Sequence, residues 1–430
     1  MAALISVAGV TLGSQGAAPD PWKDHAERYV KLVLAVGQHD ADYVDAYYGP
    51  PEWRTQAETE KPALAEIDRR AAALVEDLAK APAAAGPPSD AELWRLRRQY
   101  LERQLAALRA RVSMLQGKRL TFDEESRALY DAVAPRHTEA EFAGVIAKLE
   151  ARLPGQGPLM QRYEKFKEAF IIPRDTLDQV FRAAIRGCRD RTLAHVDLPP
   201  GESFTVEYVT GKSWSGYNWY QGTFRSLIQV NTDLPIYIDR AVDLACHEGY
   251  PGHHVYNVLL EKTLVRDRGW IEFMAYPLFS PQSLIAEGTA NYGIEVAFST
   301  ADRLVFECDV LFPLARLDGS RAKEYYEVFA LTDQLSYAGN EAARRYLDGL
   351  IDAKAAVDWL EKYAMMPRAR AEQRVKFFDQ YRSYVINYNL GKDLVRAYVE
   401  RRSGPGPSPG RRWREFEALL SSPRLPSGLK

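Results

Sequence analysis

A chain of 430 residues, 46% hydrophobic and 27% charged, is long enough for one large core or two to three smaller ones. Its 56 basic and 58 acidic side chains are interspersed and leave a formal charge of -2, so it carries no electrostatic footprint for nucleic acid. The three cysteines, Cys188, Cys246 and Cys308, are odd in number and far apart, which predicts small buried hydrophobes and no disulfide framework.

Residues 1–20 hold an apolar run of signal-peptide length and small residues before Ala17 and Ala18, yet no Lys or Arg precedes the run. They read as a signal remnant or an unstructured start, which leaves the compartment open between cytoplasm and an extracytoplasmic space. No other segment approaches 18 uninterrupted apolar residues, so no transmembrane helix is expected.

From residue 21 to 155 apolar residues recur at three- and four-residue spacing, as in ALAEIDRRAAALVEDLAKA and EAEFAGVIAKLEARL, predicting a layer of helices. Breaks fall at GPP (49–51), APAAAGPPSD (81–90), where Ser89 or Asp90 can cap the next helix, and LPGQGP (153–158). Residues 156–430 form a second region, either separate or continuous with the first. Within it FTVEYV and SLIQVN are short, β-branched and partly alternating, flanking the aromatic and Gly-rich GKSWSGYNWYQG. They predict a small antiparallel sheet, with the aromatic stretch as its connection and the edge of SLIQVN free to pair with an extended peptide. IYIDRAVDLACHE then returns to helical period, and the chain reads as helical to its end apart from SPQ, MMPR and SGPGPSPG. The fold class expected is mostly α (α+β), with the sheet beside a helix that carries the chemistry.

That chemistry concentrates in DLACHEGYPGHHVYN (243–257), which places His247, Glu248, His253 and His254 within eight positions. Zinc sites of the helical HExxH kind put two histidines at i and i+4, with the Glu between them as general base. Here His253 follows His247 by six residues, about 120° around a straight helix, and His254 lies roughly 10 Å further along its axis. Neither pair can share a metal on an unbroken helix. The GYPG between them should break it: Pro251 lacks an N–H, Tyr250 is pushed out of the α region, and Gly252 tolerates unusual dihedrals. A bulge of two residues would return His253 to the second-ligand position, with His254 left beside it; His254 as the ligand instead stays open. Cys246 points about 100° away from His247 and is read as a packing residue, not a ligand.

A carboxylate is needed to complete such a site, and PQSLIAEGTANYGIEVAF supplies Glu287 in an otherwise apolar or small run, with Glu295 as a further candidate. Gly288, Ala290 and Gly293 would let that helix approach the His helix closely. A buried carboxylate requires a partner, so Glu287 is read as a ligand and one Zn2+ as the cofactor. Glu248 is the candidate base, and Tyr388 or His254 the candidate donor to a developing oxyanion. Tyr381, Tyr384 and Tyr388 also form a stripe of the kind that lines a core, and Tyr337 is a weaker candidate donor.

HEGYPGHH followed by EGTANYGIE resembles the bacterial family catalogued as domain of unknown function 885, whose members carry HExxPGHH and a later EGWAxYxE, and which is similar to the HExxH, gluzincin-like zinc peptidases. The likeness extends over most of the chain: DAYYGPPEW resembles the family's N-terminal aromatic turn and YVINYNLGKDLVRAYVERR its closing YxxG helix. The resemblance implies metal ligands at His247, His253 and Glu287, and Glu248 as base. Thr289 stands where the family usually has Trp, an expected change in the pocket wall. The expected function is a zinc-dependent hydrolase, most simply a metallopeptidase acting on a peptide or small amide. The alternatives are a hydrolase of a non-peptide amide and a ligand-binding protein with a structural metal.

Overall fold

The computed structural model describes residues 20–81, 90–406 and 408–430. The signal-like start and Ser89 lie outside the described residues. Asp90 precedes the helix Ala91–Leu115, but its carboxylate makes no capping hydrogen bond.

The N-terminal helices Lys23–Gly37, Leu64–Lys80 and Ala91–Leu115 pack on one another as their periodicity demands. Ile67, Ala71, Leu74 and Leu78 recur at the helical repeat and are fully or almost fully buried, while the charged positions between them face water. The breaks supply helix starts. Pro51 opens the helix Pro51–Glu60 at a position whose N–H would be unpaired anyway. Thr121 with Glu124, and Thr138 with Glu141, form reciprocal capping boxes.

Arg97 joins this layer to the rest of the chain. It is fully buried, pairs bidentately with Asp20 at 2.9 Å and with Glu272, and lies over the indoles of Trp22, Trp94 and Trp270. Two short sheets make further ties. Strand β1 (Val44–Tyr47) pairs antiparallel with a strand 230 residues on, and the FTVEYV and SLIQVN segments form β2 (Ser203–Val209) and β4 (Arg225–Asn231). The aromatic stretch between these two is itself a strand, β3 (Gly216–Gly222). Because β3 takes up the antiparallel partnership with β4, β2 reaches the other side of β4 in parallel, and the order is β2-β4-β3. SLIQVN is therefore the central strand, and the free edge expected there is taken; β3 is an outer strand instead. The partner of β1 is β5 (Ala275–Pro277).

The architecture is mostly α with a small sheet beside the His helix. At its centre the helices Pro281–Ala297 and Ile386–Ser403 cross with Gly288 against Gly391, where a Cβ on Gly288 would strike the Gly391 backbone. Gly288 thus serves the contact with the helix Ile386–Ser403, not the His helix; Gly293 faces the ring of Pro251. No described helix is long and apolar enough to cross a membrane.

Candidate metal centre

The helix Asp239–Leu244 runs into a wider π-helical turn, Ala245–Gly249, leaves helical geometry at Tyr250, and restarts as the α-helix His253–Leu260. The Tyr250–Pro251 bond is cis. Gly252 closes the break: its N–H donates to the Cys246 carbonyl at 2.9 Å, and a Cβ there would collide with the carbonyl oxygens of His247 and Cys246. Only glycine fits so close to the backbone. The interruption brings His253 back to face His247.

Their Nε2 atoms lie 3.1 Å apart, and Glu287 Oε2 lies 3.2 Å from His247 Nε2 and 3.8 Å from His253 Nε2. A tetrahedral site with metal–ligand bonds near 2.0 Å separates its donors by roughly 3.3 Å, so the three atoms fit one cation. Two further observations support that fit. Glu287 Oε2 is buried and has no hydrogen-bond partner. On the other side of His247, Nδ1 lies 3.2 Å from Asn291 Oδ1, while the Asn291 amide donates to the carbonyls of Glu287 and Tyr388. Asn291 Oδ1 is thus an acceptor, Nδ1 carries the proton, and Nε2 turns a lone pair toward the other donors. Burial alone would raise the Glu287 carboxyl, whereas the two imidazoles, when protonated in the absence of a cation, hold it well below its usual range.

Glu248 sits beside the trio, with Oε1 4.0 Å from His247 Nε2. Burial, with help from Glu287, pushes it up to about 7, and His253 opposes that rise. Strand β3 covers it: a Cβ on Gly216 would lie 2.8 Å from Glu248 Oε1, and Asn218 donates to the Glu248 carbonyl at 2.7 Å.

All four residues line a cavity of about 950 Å³ that also takes in Asp45, Tyr384 and Tyr388. The Tyr384 hydroxyl donates to Glu287 Oε1 at 2.8 Å, so this member of the tyrosine stripe orients the carboxylate that faces the two histidines. Asp45, on β1, accepts from the Tyr217 hydroxyl; burial raises its carboxyl to about 6 although that hydrogen bond opposes it. It lies in DAYYGPPEW, but nothing local marks it, because the pairing of β1 with β5 is what carries it to the site. Burial and Glu287 push Tyr388 well above its usual value, so it stays a phenol.

The remaining candidates are engaged with other partners. His254 is fully buried and turned from the cavity, its Nδ1 2.9 Å from Ser226 Oγ and its Nε2 3.0 Å from Glu202 Oε2. With both nitrogens engaged it is neither ligand nor oxyanion donor, and the chain Ser226, His254, Glu202 is equally cut off from the cavity. Glu295 is paired with Arg396 and Lys392, and Tyr337 donates to Asp393 at 2.6 Å. Thr289, expected in the pocket wall, is fully buried off the cavity and donates back to the Ile285 carbonyl at 2.8 Å. Cys246 is bonded to Cys188 with their Cα atoms 5.6 Å apart, a correction to their reading as free hydrophobes; it fastens the His turn to the helix Leu177–Leu193.

No protein-family model and no curated protein sequence matches the chain. Among solved structures it is similar to a protein described as a lipoprotein from Colwellia psychrerythraea, with a TM-score of 0.51 and 13% identity over 84% of this chain. The match spans 65% of the length of that protein. It is also similar to a lipoprotein of unknown function from Shewanella oneidensis (TM-score 0.44, 12% identity, 86% of this chain and 76% of that one). A third likeness is to the M32 carboxypeptidase of Deinococcus radiodurans (TM-score 0.35, 14% identity, 93% of this chain and 88% of that one). The first of these shows a shared fold.

Proposed function

We propose that the protein is a zinc-dependent hydrolase of amide bonds, in the simplest form a peptidase. The observation that carries this reading is the convergence of His247, His253 and Glu287 within 4.8 Å of one another, with the buried carboxylate of Glu248 beside them in one cavity. Two imidazoles and a carboxylate are the donor set of catalytic zinc sites, which leave one position open; structural sites are closed by a fourth protein ligand. Bound zinc supplies Lewis acidity, making water nucleophilic near pH 7 and polarising the carbonyl under attack.

The chain's own residues do the rest. Glu248 takes the proton of the attacking water and returns it to the leaving amine. Tyr388, held as a phenol, donates to the oxygen that gains charge. Asn291 and Tyr384 fix the ring of His247 and the carboxylate of Glu287. The outer strand β3 offers a backbone along which an extended substrate can lie, in place of the SLIQVN edge.

Glu248→Gln tests the assignment of the base. It should keep the metal and lose at least about a thousandfold in kcat on any peptide the wild type cleaves. Hydrolysis that survives the substitution would remove Glu248 from the mechanism.

A further inference from the structure

Arg370 and Arg374 lie one turn apart on the same face of the helix Arg368–Tyr381, and both line the cavity. Like charges at that spacing repel, and burial lowers the affinity of both guanidinium groups for their protons. Among the described residues neither lies within 4 Å of a carboxylate, Asp239 and Glu287 acting on them only from further off, and Arg374 Nε is buried without a hydrogen-bond partner.

Three arginines set deep in the chain show the usual compensation for comparison. Arg97 has Asp20 and Glu272, Arg303 has Asp243 and Glu307, and Arg344 has Asp123 and Glu341. Three of the cavity's acids are already engaged with other partners. Asp243 is bound to Arg240 and Arg303, Glu295 to Arg396 and Lys392, and Asp45 to Tyr217. Glu287 and Asp239, which also line the wall, act on Arg374 and Arg370 only from a distance, so neither guanidinium has a carboxylate against it. Arg374 is also oriented, lying 4.6 Å from the ring centre of Phe377 and 5.6 Å from that of Tyr388, the candidate oxyanion donor. A rigid planar fork beside the reacting end of a cavity is suited to a carboxylate.

Resting on the hydrolase reading above, we propose that Arg374, with Arg370 behind it, binds the terminal carboxylate of a short peptide or acyl amino acid, so that the enzyme acts on the C-terminal end of its substrate. A cavity of about 950 Å³ lies within the range that encloses a small ligand, and it does not require a long chain to pass through.

The test is calorimetric binding, to zinc-loaded protein, of a panel of N-acetyl dipeptides with free carboxylates and of the matching C-terminal amides. One amide ends in glutamate, to separate a main-chain carboxylate from a side-chain one. The free acids should bind about a hundredfold more tightly than the amides, and Arg374→Gln should abolish that difference while thermal midpoint and zinc content hold. If Arg374→Gln does not fold, Arg370→Gln should cut the preference about tenfold. Equal binding of acids and amides, binding of the glutamyl amide alone, failure of every acid to bind, or a preference that survives in the folded variants would each overturn the carboxylate site. Hydrolysis of the same panel separates this proposal from its premise. Selective binding of the acids without cleavage would keep the site and reject the hydrolase, whereas cleavage without acid preference would do the reverse.

Discussion

Tyr384→Phe removes one oxygen from the centre and little else. The ring stays, and with it the packing against Tyr130 and Tyr388, whose centroids lie 5.9 Å and 5.8 Å away. What goes is the hydroxyl that donates to Glu287 Oε1 at 2.8 Å. Glu287 then keeps Oε2 toward the histidines but loses the contact that fixes its rotation. A hydrogen bond to a charged group contributes about 1.5–3 kcal/mol, and loss of an outer partner of a metal ligand costs about 10–100-fold in metal affinity, or roughly 1.4–2.7 kcal/mol. The two ranges agree, and the expected loss is about thirtyfold. Competition with a chromophoric chelator measures the zinc dissociation constant directly, and a thermal scan of the metal-free protein checks that the fold is intact. Unchanged zinc affinity in a well-folded Tyr384→Phe protein would show that Glu287 does not ligate through the geometry described.

Two other substitutions probe the supports of the site. Gly252→Ala forces a methyl group into the carbonyls of His247 and Cys246, and should destabilise the fold by about 3 kcal/mol in urea titration; a loss below 1 kcal/mol would mean the turn can open without harm. Glu202 is held down to about 2 from its usual 4.5 by His254, Tyr250 and Arg189, overcoming the opposing effect of burial. Its folded-state pKa lies below the unfolded one, so its contribution is complete above about pH 4.5 and fades as pH falls toward 2. Glu202→Gln should therefore lower the thermal midpoint at pH 7, with the gap to wild type closing across that acid window; a gap that does not change with pH would contradict it.

The histidine cluster was legible because its logic is local: a Pro-Gly pair between histidines at the wrong spacing for a helix requires a break, and the break decides which ring returns. Glu287 was legible for a similar reason, being a carboxylate in a run of small residues. The unread features all depend on distant partners. Cys188 and Cys246 are 58 residues apart, and nothing in their surroundings announces the bond. WSGYNWY looked like a loop because glycine and tryptophan seldom alternate in the usual strand fashion, yet Tyr220 is buried and Trp219 exposed once β4 lies alongside. Asp45 reaches the site through a strand pairing with residues 275–277, and Tyr384 through a helix crossing that Gly288 and Gly391 permit. His254 misled because adjacency in sequence suggested a shared site, whereas adjacent helical residues point in different directions.

On the proposed reading His247, His253 and Glu287, without His254, hold one metal ion. Elemental analysis of protein purified without added metal or chelator, and again after zinc is offered, tests it directly. Wild type and His254→Gln should carry about one zinc per chain, and His247→Ala and His253→Ala should carry none. No stoichiometric metal in the wild type, or loss of metal in a folded His254→Gln protein with retention in His253→Ala, would contradict it.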